Sequence, residues 1–184
     1  EDGVTTDTAM NMSKTFKTTS FSGKIDLTDA GTPNLQSTTY YQGDKGDEVS
    51  DYSLNYQVGT STIKNTSVFV YGTGFLRAVS AGTELAMTRS LSYKTVNGVA
   101  KTIDSATDSF YDASGAILDS DKLQSETYYY GSIRGDEIAH YAYNMRLSTT
   151  SVRNVSVYYY DDKTADEDGV TTDTAMNMSK TFKT

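Results

Sequence analysis

The chain has no cysteine, no tryptophan, a single histidine and a single proline. Without cysteine there is neither a disulfide framework nor a thiolate metal site, and the redox compartment stays open. A catalytic base needs an orienting partner and a nucleophile at fixed geometry, and around the one histidine, His140, the sequence supplies neither. No phosphate loop, metal motif or nucleophile motif is present, so no enzymatic activity and no cofactor are expected. A surplus of positive charge is also lacking. The formal net charge is −8, and the basic residues are scattered, so neither nucleic acid nor an anionic membrane surface is an expected partner. No apolar run approaches the ~20 residues that span a bilayer, so no membrane span is expected. Residues 1–18 lack the basic start and apolar stretch of a signal peptide, which points to an interior segment or a mature protein.

What is abundant is tyrosine, with 15 residues, and serine plus threonine, which together number 49 of the 184. Thr, Tyr and Val fit a pleated, half-buried surface, and no helical spacing of apolar residues competes with them. An all-β fold follows. Residues 1–18, EDGVTTDTAMNMSKTFKT, recur letter for letter as residues 167–184, which defines a period of 166 residues. Inside that period lies a second duplication. LQSTTYYQGDKGDEVSDYSLNYQVGTSTIKNTSVFVY at 35–71 aligns with residues 123–160, and 17 of the 37 aligned residues are identical. AMNMSKTFKT at 9–18 similarly aligns with AMTRSLSYKT at 86–95. The expected organisation is a first half-repeat over 1–85, a second over 86–174, and the start of the next repeat at 167–184.

Each half reads as an antiparallel meander. Strands are expected at 13–21, 35–41, 48–58 and 63–71, then at 90–96, 123–130, 137–147 and 152–160, with an extra hairpin at YDASGAIL, 111–118. Alternation places Tyr52, Leu54, Tyr56 and Val58 on an apolar face, with Val49, Asp51, Ser53 and Asn55 opposite. In the second half Tyr141, Tyr143, Met145 and Leu147 form the apolar face, and His140, Asn144 and Arg146 the polar one. The glycines and aspartates of GDKGDE and GSIRGDE, namely Gly43, Gly46, Asp47, Gly131, Gly135 and Asp136, are expected to set hairpin register.

Other motifs have plainer readings. His140 is expected at the exposed surface. Thr164–Ala175 places Asp166, Asp168 and Gly169 as a calcium loop would, but Thr164 and Ala175 stand where the first and last carboxylates are needed, so a solvated acidic turn is expected. Residues 134–136 spell RGD, the integrin-binding tripeptide, inside a hairpin turn where Gly and Asp are wanted anyway. Asn-x-Ser acceptors for glycosylation occur at Asn11, Asn65, Asn154 and Asn177, and Asn65 and Asn154 are equivalent positions from which a sugar would point to water. The Tyr runs at 40–41, 128–130 and 158–160 suit either sugar stacking or cross-strand pairing.

TTYYQGDKGDEVSDY and ETYYYGSIRGDEIAHY resemble the Tyr- and Thr-rich β-repeats of very long bacterial surface and fibre proteins. YDASGAIL, with TDAGTPNL at 28–35, resembles more locally the YD or Rhs repeat pattern, which implies a β-shell. The first resemblance implies an extracellular or cell-surface structural filament in which repeats stack head to tail, with self as partner and no catalytic residues. A sugar-binding or adhesive surface module is the alternative, with glycans as partner.

Overall fold

A computed structural model describes residues 7–17 and 34–184. Among them the chain forms one open antiparallel sheet of nine strands, with almost no helix. The strands are β1 (Met12–Phe16), β2 (Leu35–Gln42), β3 (Val49–Tyr56), β4 (Ile63–Tyr71), β5 (Met87–Lys94), β6 (Leu123–Tyr130), β7 (Ile138–Met145), β8 (Val152–Tyr160) and β9 (Met176–Lys183). A single helical turn, α1 (Ala78–Ala81), lies between β4 and β5. Spatial order equals sequence order, so every pairing is between consecutive strands. The all-β expectation holds, and the two halves are successive strands of one sheet.

Strand β1 pairs with β2 from Met12 opposite Tyr40 to Phe16 opposite Leu35, with a shift after Thr15. Strand β5 pairs with β6 in the equivalent register, Arg89 opposite Tyr128 to Tyr93 opposite Leu123, with the shift after Ser92. Strand β9 meets β8 from Lys183 opposite Asn154 to Met176 opposite Tyr160, as β5 meets β4 from Lys94 opposite Asn65 to Met87 opposite Tyr71. Register in a sheet is fixed by which face must be buried, so the shared alternation of the two halves yields shared registers.

The two faces differ in kind. Met12, Tyr40, Tyr52, Val68, Leu91, Glu126, Tyr143, Val155 and Phe182 are successive partners across the apolar face. One row along, Ser13, Thr39, Ser53, Ser67, Ser92, Ser125, Asn144 and Asn154 run across the other face as a band of small polar side chains. The core lies beneath the segment joining β5 to β6. Its Phe110 and Tyr111 pack on Val68, Val70, Leu91, Tyr93, Leu123 and Met145. A smaller cluster, Val49, Tyr71, Ala78 and Ala81, seats α1 on the sheet.

Each of the eight pairings carries one register shift, and two equivalent bulges, in β3 and β7, re-aim residues that strict alternation assigns elsewhere. Tyr40 faces Tyr52 while Tyr41 faces Ser50, so Asp51 is the extra residue; likewise Tyr128 faces Tyr141 and Tyr129 faces Ala139, leaving His140 extra. A bulge re-aims a side chain. Asp51, expected on the polar face, is fully buried against Arg77 instead. Strands β3 and β7 also end before the expected Val58 and Leu147, which are exposed in turns. The 111–118 hairpin is present as a bridge of Tyr111 with Ile117. Residues 18–21 of the first expected strand, and most of TDAGTPNL, lie outside the described residues.

Candidate functional site

Among the described residues strands β1 and β9 are the edges of the sheet, and they carry the same sequence. Strand β1 uses one of its edges on β2, and β9 uses the opposite one on β8. The interior strand β5 shows both pairings at once, in the registers that β1 and β9 use singly. An unpaired strand edge is a template for another strand.

A carboxylate fastens the start of each such strand. The Met10 N–H donates to Glu48 Oε1 at 2.9 Å, and the Met87 N–H donates to Glu137 Oε1 at 2.7 Å. The second oxygen of each accepts from the turn itself, from Gly46 N–H at 3.0 Å and Gly135 N–H at 2.8 Å. The Met10 N–H above all holds the Glu48 carboxyl below the usual range. The GDE turns therefore do more than reverse the chain. At Gly43 (φ 112°) a Cβ would lie 2.8 Å from the Asp47 carbonyl oxygen, and at Gly131 (φ 128°) one would lie 2.9 Å from that of Asp136, so both positions require glycine. Gly46 and Gly135 share a φ of 88°. The N–H groups of Asp47 and Asp136 close the two turns onto Asp44 and Ile133. In the RGD triplet the Arg134 guanidinium donates to Thr83 O at 2.8 Å and Glu48 O at 2.7 Å, tying the second turn to the first.

Two charged clusters lie under the apolar face. Arg77 donates twice to Asp51 Oδ1, at 2.6 and 3.0 Å, and stacks over Phe110. Arg89 meets Glu126 at 3.2 Å and sits over the rings of Phe75, Tyr111 and Tyr128, and the Tyr111 hydroxyl donates to the same Glu126 oxygen at 2.8 Å. Burial pushes the Tyr111 phenol far up. His140 is not the free surface residue expected. It is part-buried, 3.0 Å from Asp166, with its ring edge-on to Tyr130 and Tyr141. His140 and Asp166 occupy the positions of Asp51 and Arg77, each 89 residues later, so a strand-to-loop side-chain contact recurs with the carboxylate on the loop instead of the strand.

Tyr52 stacks on Tyr40 and Tyr141 on Tyr128, each with centroids 4.5 Å apart, so these rings present their faces to one another. Tyr143 closes edge-on to Tyr128, Met145 is in the core, and Leu54 and Tyr56 are part-buried. Asn65 and Asn154 lie on the polar face, where each Oδ1 accepts from the facing Asn55 or Asn144 at 2.7 or 2.8 Å. Asn11 and Asn177 are exposed near the edge strands. In the acidic turn Asp166 is taken by Thr164 and His140, and the Asp168 carbonyl accepts from Lys163. Among the described residues no group of His, Cys, Asp or Glu converges to hold a metal, and no helix is long and apolar enough to cross a membrane. Sequence reasoning missed the buried ion pairs. The signal was parity, since Arg89 is in phase with Leu91 and Tyr93, and Glu126 with Tyr128.

The chain matches no family model, no curated protein and no solved structure.

Proposed function

We propose that this chain is a segment of a structural β-sheet filament, extracellular or at a cell surface, in which 166-residue units continue one another edge to edge. The observation that carries this is the register of β9: it lies on β8 as β5 lies on β4, and it has the sequence of β1. Read so, β9 is the first strand of the following unit, and its open edge is the seat of the next β2. No cofactor and no catalytic group are needed. The function is mechanical, and the partner is the same sequence.

Exposure along equivalent positions supports the reading. Tyr93 on interior β5 is fully buried, whereas Phe182, its counterpart on β9, is 50% exposed. Covering that exposed half contributes roughly 1 kcal/mol per junction, in addition to the strand ladder itself. Stability then accumulates unit by unit, as in repeat arrays. The sugar-binding alternative finds less support, because Tyr40, Tyr52, Tyr128 and Tyr141 spend ring faces on each other.

The denatured mass of native material, together with electron micrographs, tests the proposal. Species of several hundred kilodaltons and thin solid fibres are expected. Soluble single particles of a protein near 20.1 kDa would contradict it, and hollow enclosures would favour a shell.

A further inference from the structure

The proposed array continues the sheet within one chain. We propose that the same edges also join separate copies: when β1 leaves β2, β9 of a second copy takes its place, and Glu48 of the accepting copy receives the Met176 N–H of the donor. This inference rests on the array reading and adds to it a second copy of this chain as a strand donor.

Three observations converge on that occupant. Residues 10–17 and 176–183 are identical, so β2 meets the same side chains from either strand. Strand β5 holds β4 and β6 together in the registers that β9 and β1 use separately, so β9 can accept β2 on its open edge without shifting on β8. Met10 and Met87 each donate an N–H to the glutamate of the neighbouring hairpin. Met176 is the third methionine of that series, and Glu48 of an incoming copy is the matching acceptor. The expected inter-copy register sets Met178 opposite Tyr40, Ser179 opposite Thr39, Lys180 opposite Thr38 and Phe182 opposite Leu35, which is the β1–β2 register moved on by one period. Strand addition of this kind draws affinity from main-chain hydrogen bonds and specificity from alternate side chains.

Competition decides when it occurs. Strand β1 is tethered to β2 in its own chain, and a tethered strand acts at an effective concentration of roughly millimolar. At micromolar protein the intact chain therefore keeps its own β1. Weakening β1 alone opens the acceptor while leaving the donor whole. The backbones of Asn11 and Lys17 bond β2, through Tyr41 N–H to Asn11 O and Lys17 N–H to Asn34 O. Ser13 and Thr15 share their parity, and proline there removes donors that face β2.

In the full chain, Ser13→Pro with Thr15→Pro should produce head-to-tail oligomers in sedimentation at concentrations where the parent chain is a single species. A peptide of residues 174–184 should cap β2 and return the variant to single chains, and adding Ser179→Pro with Thr181→Pro should abolish the oligomers. A folded variant that stays single, or oligomers that survive the prolines in β9, would overturn the proposal. Should the variant not fold, the question passes to otherwise unchanged chains under mild oxidation at near-millimolar concentration, where a second copy competes with the tethered β1. Ser179→Cys chains mixed with Thr39→Cys chains should form the inter-copy disulfide about tenfold more than with Ser37→Cys chains, because two residues of slip move the partner ~6.6 Å, beyond disulfide reach. Equal yields would overturn it. In a two-period chain the same cysteines, at Ser179 and at the Thr39 of the second period, separate the two ideas. A disulfide there but none between separate chains removes the exchange and keeps the array, and none in either removes both.

Discussion

Arg89→Met would leave Glu126, 3% exposed, without its cation. Removing one partner of a buried pair costs ~3–5 kcal/mol, because the remaining charge is neither solvated nor matched. Part of that is offset. The Tyr111 hydroxyl still donates to Glu126, and a Met thioether against Phe75, Tyr111 and Tyr128 returns ~0.3–1.5 kcal/mol. The net expected loss is ~2–4 kcal/mol out of a typical ~5–15 kcal/mol, which lowers Tm by about 10 °C for a chain of this size. The first half shows how the loss can be repaired, since Met12 and Thr38 occupy the positions of Arg89 and Glu126. Arg89→Met with Glu126→Thr should therefore lose less than the sum of the single changes, with a coupling of ~2 kcal/mol. Urea unfolding followed by circular dichroism measures all three variants. A loss below ~1 kcal/mol for Arg89→Met, or strict additivity in the double variant, would refute the account of a paired buried charge.

Gly115→Ala should cost ~2–3 kcal/mol, because the residue has φ +81° and its Cβ would lie 2.6 Å from Phe75, the ring over Arg89; an unchanged urea midpoint would contradict this. Burial pushes the phenols of Tyr71, Tyr93, Tyr111 and Tyr128 above the ordinary value near ~10. A raised acid contributes stability that is whole below the unfolded value and lost as pH rises towards the folded one, so phenolate absorbance should show a late class ionising together with loss of sheet. One class near ~10 with the sheet intact would defeat it. At the other extreme, the Ser114 hydroxyl and the N–H groups of Ala116 and Ser114 hold the Asp112 carboxyl below its usual range. Its contribution is present above about pH 4 and lost as pH falls through the folded value, so Asp112→Asn should flatten the acid limb of Tm against pH, and a parallel limb would count against these hydrogen bonds.

Much of this fold is written locally. Alternation in DYSLNYQV and HYAYNMRL, with glycines at fixed offsets between, is enough to place β2, β3, β4 and their counterparts, because a period of two and a tight turn leave few other pairings. The doubled EDGVTTDTAMNMSKTFKT marked the two segments as equivalent, although no strand was expected at 176–183, where β9 forms. Alternation read straight through Asp51 and His140 could not give the bulges there, because an extra residue reverses the phase of the strand, so that Val49, expected opposite Tyr52, shares its face. Nor could it say what Glu48 and Glu137 hold, because their partners, Met10 and Met87, are 38 and 50 residues away. The Arg77–Asp51 contact escaped for the same reason, being made by a loop whose path over the sheet no local rule determines.

The central claim is that one period adds eight strands to a single sheet, from β2 to β9. Neighbouring strands lie ~4.8 Å apart, so each period should lengthen the particle by about 38 Å across the strands. Small-angle scattering from chains of one, two and three uninterrupted periods measures that increment directly. A maximum dimension growing by about 38 Å per period, with a cross-section that stays constant, is the predicted result. A two-period chain no longer than one period, or one that behaves as two beads on a flexible link, would contradict the account.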